Sequence, residues 1–175
     1  LSDFALQVVN WCAAKLTAPQ PLPKLDFEHG IPPDQRVLVT VQAIFSSRRG
    51  VEDCVRALEV RALGNNDPNI GFGILADLAD APHEVLPGDA GTIKYATSLI
   101  EDLNRRLCNG QTRRFFITFR QRRYNSAQGC FLGWERKRGK IEEFNRWLRG
   151  AVDTTFSVIV GDVEFMRSAR YVLTL

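Results

Sequence analysis

Polar and apolar positions along the chain divide it into alternating elements. Residues 1–16 predict a helix, with Ser2 or Asp3 as cap and Phe4, Val8, Trp11 and Cys12 on one face. Pro19, Pro21, Pro23, Pro32 and Pro33 then mark an extended linker over residues 17–35. Residues 36–45 (RVLVTVQAIF) read as a buried strand. Residues 51–63 read as a helix, with Val51, Cys54, Val55, Leu58 and Ala62 inward and Gly64 as its stop. A second strand is predicted over 69–76. A long helix follows over 90–108, with Ile93, Ala96, Leu99, Ile100, Leu103 and Leu107 inward. Strand 114–120 (RFFITFR), a loop over 121–134, helix 140–149, strand 156–160 and strand 171–175 complete the pattern. In the 140–149 helix the predicted apolar stripe is Ile141, Phe144, Trp147 and Leu148, closed by Gly150.

Strands alternating with helices imply βαβ crossovers. The expected fold is therefore α/β and Rossmann-like, a mostly parallel sheet with helices on both faces. It occupies residues 36–175, after the N-terminal helix (1–16) and the linker (17–35). In such sheets ligands sit outside the carboxyl ends of the strands, which directs attention to the residues after each strand.

Charge sharpens the picture. The 175 residues carry a mild net +3, but residues 113–149 hold 11 Lys/Arg against 3 Asp/Glu. The rest holds 12 against 17, so a basic segment interrupts an acidic body. Arg136, Lys137, Arg138 and Lys140 crowd the start of the 140–149 helix, where the dipole is already positive and backbone N–H groups lack partners. That arrangement suits a bound anion, phosphate above all, with Gly139 letting the backbone approach. A solvated basic turn explains it equally well.

Other candidates are weaker. Ser46-Ser47-Arg48-Arg49-Gly50 follows the first strand, but no Walker lysine pattern is present, and Gly71-Phe72-Gly73 lies inside a strand rather than in a phosphate loop. Asp77 and Asp80 follow the second strand and can accept hydrogen bonds from a base or a ribose; turn chemistry and helix capping are the plainer roles for Asp. Trp134 can stack on a sugar or a base, or bury against the helix. Cys12, Cys54, Cys108 and Cys130 are scattered, and His29 and His83 are the only histidines. Neither zinc spacing nor a disulfide framework is indicated, and reduced thiols are expected. No Ser-His-Asp, Cys-His or paired-carboxylate catalytic set is visible. A nucleic-acid-binding module is the alternative, with Phe115, Phe116, Phe119, Tyr124 and Trp134 stacking on bases beside the 113–149 cations.

Three stretches carry a resemblance: 133–150 (GWERKRGKIEEFNRWLRG), 67–82 (DPNIGFGILADLADAP), and 156–162 with 170–175 (FSVIVGD, RYVLTL). They resemble the glycosyltransferase domain of bacterial cyclic β-1,2-glucan synthases. The 138–145 run is similar to the Gly-Lys element of processive sugar transferases with the nucleotide-diphospho-sugar transferase (GT-A) fold. The resemblance implies a UDP-glucose donor, a glucan acceptor, inversion at the anomeric carbon, and a divalent metal (Mg or Mn) in the full-length enzyme. It implies that Asp77, with Asp80 nearby, reads the nucleoside. Arg138, Gly139 and Lys140 would lie near the diphosphate, and Asn145 would support donor positioning. It further implies metal-binding Asp-x-Asp residues just after Leu175, catalytic residues beyond them, and hence an inactive fragment of a larger protein. That protein would work with its remaining domains on the cytoplasmic face of the bacterial inner membrane, with no role for nucleic acid.

Overall fold

A computed structural model describes residues 2–17, 30–108 and 113–175. The elements in chain order are α1 (Ser2–Leu16), a 3-10 turn (Pro33–Gln35), β1 (Val37–Phe45), α2 (Arg48–Leu63), β2 (Ile70–Leu78), α3 (Asp89–Leu107) and β3 (Phe115–Arg120). These are followed by β4 (Arg123–Asn125), β5 (Cys130–Leu132), α4 (Arg136–Leu148), β6 (Phe156–Val160), α5 (Val163–Arg167) and β7 (Tyr171–Thr174). Most of the predicted linker, residues 18–29, lies outside the described residues. The expected face of α1 is uncovered: Phe4, Val8 and Trp11 are exposed and Cys12 is half-buried.

The main sheet has the order β6-β3-β2-β1-β7. β7, β1, β2 and β3 run parallel, and β6 pairs antiparallel with β3. This is the expected α/β, mostly parallel, Rossmann-like arrangement. The chain walks outward from β1 to β2 to β3 and later returns to the far side of β1 as β7. The direction of winding therefore reverses at β1, and a crevice opens at its carboxyl end.

Side chains alternate across the sheet. On one face Val39, Val41, Phe72, Ile74, Ala76, Phe115, Ile117 and Phe119 pack with Val51, Val55 and Leu58 of α2 and Ala96, Ile100 and Leu103 of α3. On the other, Leu38, Leu75 and Phe116 pack with Phe144 and Trp147 of α4 and Phe165 and Met166 of α5. Phe72, Phe115, Phe116, Phe119 and Phe144 are fully buried, each contributing about 2–3 kcal/mol of apolar burial. Asn104, buried in α3, exchanges hydrogen bonds with the backbone of Phe115 and ties the helix to β3.

Several elements differ from the sequence reading. β2 runs on to Leu78, so Asp77 lies within the strand rather than after it, and α2 starts at Arg48, three residues early. The 121–134 stretch is not a plain loop but the hairpin β4–β5. The Asn125 side chain accepts from the Ala127 and Gln128 amides to make its turn, and Phe131 exchanges both backbone bonds with Ala81. α4 starts at Arg136, four residues earlier than expected. A short α5, capped by Asp162 on the Phe165 amide, lies between β6 and β7.

Candidate functional site

Two sheet rows at the carboxyl ends of the central strands face α4. Gln42, Leu75 and Thr118 are register partners in the first row. About 6–7 Å further on, at two residues' rise, come Ile44 and Asp77, with Arg120 closing that row on β3. Arg120 is buried and is the one charged residue of its strand. Its Nε donates to Asp77 Oδ1 at 2.9 Å and its Nη2 to Asp77 Oδ2 at 2.9 Å. The same guanidinium donates to the Trp134 carbonyl (3.0 Å), the Arg136 carbonyl (3.2 Å) and Glu143 (3.4 Å). All five N–H directions of the fork are used.

Lys140 reaches into this cluster from α4. Its Nζ lies 3.0 Å from Asp77 Oδ2 and donates to the Ala43 carbonyl at 2.9 Å. Only 2% of the residue is exposed. Burial pushes the Lys140 ammonium below its ordinary value, while the charge and hydrogen bond of Asp77 hold it up. Glu143, one turn along α4, completes the set by accepting from the Thr155 amide and hydroxyl. The interior thus holds two cations and two carboxylates, each hydrogen-bonded, as buried charges require.

The start of α4 wraps this cluster. Glu135 and Arg136 both adopt left-handed backbone, with φ of 44° and 41°. Such conformations cost about 1–3 kcal/mol each, and Arg120 holds the turn through two of its carbonyls. A Cβ on Gly133 would sit 2.5 Å from Asp77 Oδ2, so only glycine lets this segment lie over the carboxylate. Gly139 is filled by Trp134, whose ring edge (Cε3) would lie 2.5 Å from an added Cβ. That position, expected to admit an anion, admits an indole instead.

The candidate residues therefore separate. Asp77 and Lys140 come together in the buried cluster. Lys140, expected to face a diphosphate, points inward. Asp80 sits at the exposed rim and pairs with Arg136 at 2.7 Å. Arg138 and Asn145 lie on the opposite, outer face of α4, beside an open groove that also includes Ile141. Arg138 pairs there with Glu135. Ile141 is thus not part of the inward stripe: Lys140, Glu143, Phe144 and Trp147 are. An apolar count misses this face because two of its four members are charged.

Residues not singled out in the sequence are Arg120, Glu143, Gln42 and Thr118. Gln42 Nε2 and Thr118 Oγ1 are buried without partners one row below the cluster. Ser47, by contrast, caps α2 by accepting from Gly50, and Arg48 lies over the Tyr95 ring. Of the aromatics in the nucleic-acid reading, Phe115, Phe116 and Phe119 are core, and Arg120 and Arg122 are buried in ion pairs, whereas Tyr124 and Trp134 are exposed. All four cysteines are free thiols, and His83 is exposed.

A search of family models finds no match. Against individual proteins, the chain is 38% identical over 174 residues to the cyclic beta-(1,2)-glucan synthase NdvB of Rhizobium meliloti (strain 1021). This chain is related to one segment of a cyclic β-(1,2)-glucan synthase. The alignment takes in 99% of this chain and 6% of the synthase, so the chain spans a small part of that relative. The matched segment includes every member of the buried cluster. Among the described residues no helix is long and apolar enough to cross a membrane.

Proposed function

We propose that this chain is the donor-nucleotide side of a glucosyltransferase, and that the larger protein extends a β-1,2-glucan from UDP-glucose. The relationship to a glucan synthase segment carries the reading. The crevice at the carboxyl end of β1, where the winding reverses, supports it, because that is where wound sheets take nucleotides. In this reading the nucleoside lies over Ile44 and the Asp77 row. Ile44 is half exposed there, with the polar Asp77 carboxylate as its register partner. The Asp77–Arg120–Lys140–Glu143 cluster, balanced in charge, fixes the strand ends, with the Arg136–Asp80 pair at the rim. Asp77 contacts the nucleoside directly only if the Gly133–Arg136 turn lifts from its carboxylate. Arg138 and Asn145 support donor placement only through the outer face of α4.

The described residues do not fit a divalent metal. No three His, Cys, Asp or Glu groups converge among them, Asp77 is occupied by two cations, and Asp80 is paired. We assign the metal, the general base and the acceptor-activating groups to other parts of the larger protein. There the acceptor 2-hydroxyl attacks glucose C1, its proton passes to a carboxylate, UDP leaves, and the anomeric centre inverts. That protein would act at the cytoplasmic face of the bacterial inner membrane. Calorimetry with UDP-glucose tests the division of labour. The expected dissociation constant is on the order of 1 mM, about −4 kcal/mol, with no turnover. Tight metal-dependent binding, or glucose transfer, would overturn it.

A further inference from the structure

The Gly133–Arg136 turn has two sides. One covers Asp77; the other presents the Trp134 indole, 48% exposed, to a cleft of about 300 Å3. Arg123 of the hairpin, Glu142, Glu143 and Arg146 of α4, and Asp153 and Thr155 beyond it form the rest of the wall. Trp134 is not mobile decoration: its ring edge is seated on Gly139 and its carbonyl is held by Arg120.

The charges of this cleft are largely committed. Glu143 is taken by Arg120 and Thr155, and Arg146 pairs with Asp153 at 2.5 Å. Arg123 and Glu142 make no ion pair among the described residues, which leaves one cation and one carboxylate beside an aromatic surface. A phosphate group would meet three acidic side chains there against two arginines. A purely apolar ligand would strand the Arg123 and Glu142 groups without water. A neutral polyhydroxyl ligand satisfies everything. Its C–H faces carry slight positive charge and stack on the electron-rich indole face. Its hydroxyls donate to Glu142 and accept from Arg123 and from the indole N–H.

We propose that this cleft is a saccharide subsite that holds a stretch of neutral glucan, separate from the nucleotide crevice on the other side of the same turn. Its identification with glucan rests on the transferase reading above.

The test is a titration of the 15N-labelled chain with a linear β-1,2-linked glucooligosaccharide, and separately with UDP and inorganic phosphate. The oligosaccharide is expected to move the Trp134 indole N–H and the amides of Arg123 and Glu142 saturably. Trp134→Ala is expected to weaken binding at least about tenfold, as when an anchoring aromatic is truncated. Arg123→Ala, on the exposed hairpin, leaves the fold intact and is expected to weaken it several-fold (roughly). The subsite is overturned by an absence of saturable shifts, by shifts indifferent to both substitutions, or by phosphate binding at Trp134 more tightly than glucan. UDP shifts at Ile44 and Asp77 without any oligosaccharide binding would sink the subsite and leave the donor reading standing. Oligosaccharide binding without UDP binding would do the reverse.

Discussion

Replacing Asp77 by Asn keeps the shape of the side chain and removes one charge from the interior. Asp77 accepts from Arg120 twice, at 2.9 Å each, and lies 3.0 Å from Lys140. With Asn in place, Arg120 and Lys140 share the Glu143 carboxylate alone, and one buried positive charge is uncompensated. Breaking a buried pair from one side costs about 3–5 kcal/mol, a large part of the roughly 5–15 kcal/mol that holds a domain together. Lys140 can limit the damage by losing its proton, since burial already favours the neutral amine. Its folded pKa lies below its unfolded value of 10.5, so the unfolded chain binds more protons between the two. The cost of charged Lys140 is therefore full below the folded pKa and disappears as pH rises toward 10.5. Asp77→Asn widens that window, so its penalty should be largest at neutral pH and shrink in alkali. Urea unfolding followed by circular dichroism measures this directly. Asp53→Asn, which touches only the exposed Arg49–Asp53 pair, serves as a control with no measurable effect expected. Asp77→Asn combined with Lys140→Met restores charge balance and should recover about 1–3 kcal/mol relative to additivity. A loss below about 1 kcal/mol for Asp77→Asn at neutral pH, or a penalty that grows with pH, would refute the buried four-charge cluster.

Other substitutions probe the surrounding framework. Gly139→Ala places a methyl group inside the Trp134 contact, and the overpacking should cost about 1–3 kcal/mol by thermal unfolding despite alanine's better helix propensity. Ser47→Ala removes the α2 cap bond to Gly50 and should cost about 1 kcal/mol in the same assay. Asp89 is raised by burial but brought below its ordinary 3.8 by the Arg122 hydrogen bond, the Leu86 amide and the Arg122 charge. Its contribution is present above that value and lost in acid. Asp89→Asn should therefore be less stable than the parent at neutral pH, with the gap closing as pH falls below 3.8.

The sequence pattern made the sheet and its helices readable because apolar periodicity reports burial directly. Val51, Val55, Leu58 and Ala62 in α2, and Ala96, Ile100 and Leu103 in α3, face inward as their spacing requires. The hairpin was hidden because β4 and β5 are only three residues each and lean on Ala81, a contact that no local window contains. The site was half legible. The sequence pattern places Asp77 after a strand and Lys140 at a helix start; Asp77 lies instead next to last in β2 and Lys140 in the second turn of α4, yet the two do meet. Their inward direction was not readable, because an amphipathic count assigns charged residues to solvent. Arg120 carried the one available signal: an arginine ending a strand that is otherwise apolar except for Thr118. Glu143, three residues beyond Lys140 on the same helical face, could have been found from that partner.

The most direct test of the central claim is a two-dimensional NMR titration of this chain with UDP. Saturable shifts are expected at Ile44, Ser46, Asp77 and the Gly133–Arg136 turn, with little change on the outer face of α4. Shifts confined to Arg138, Asn145 and Arg149, or none at concentrations on the order of 10 mM, would contradict a nucleotide crevice at the carboxyl end of β1.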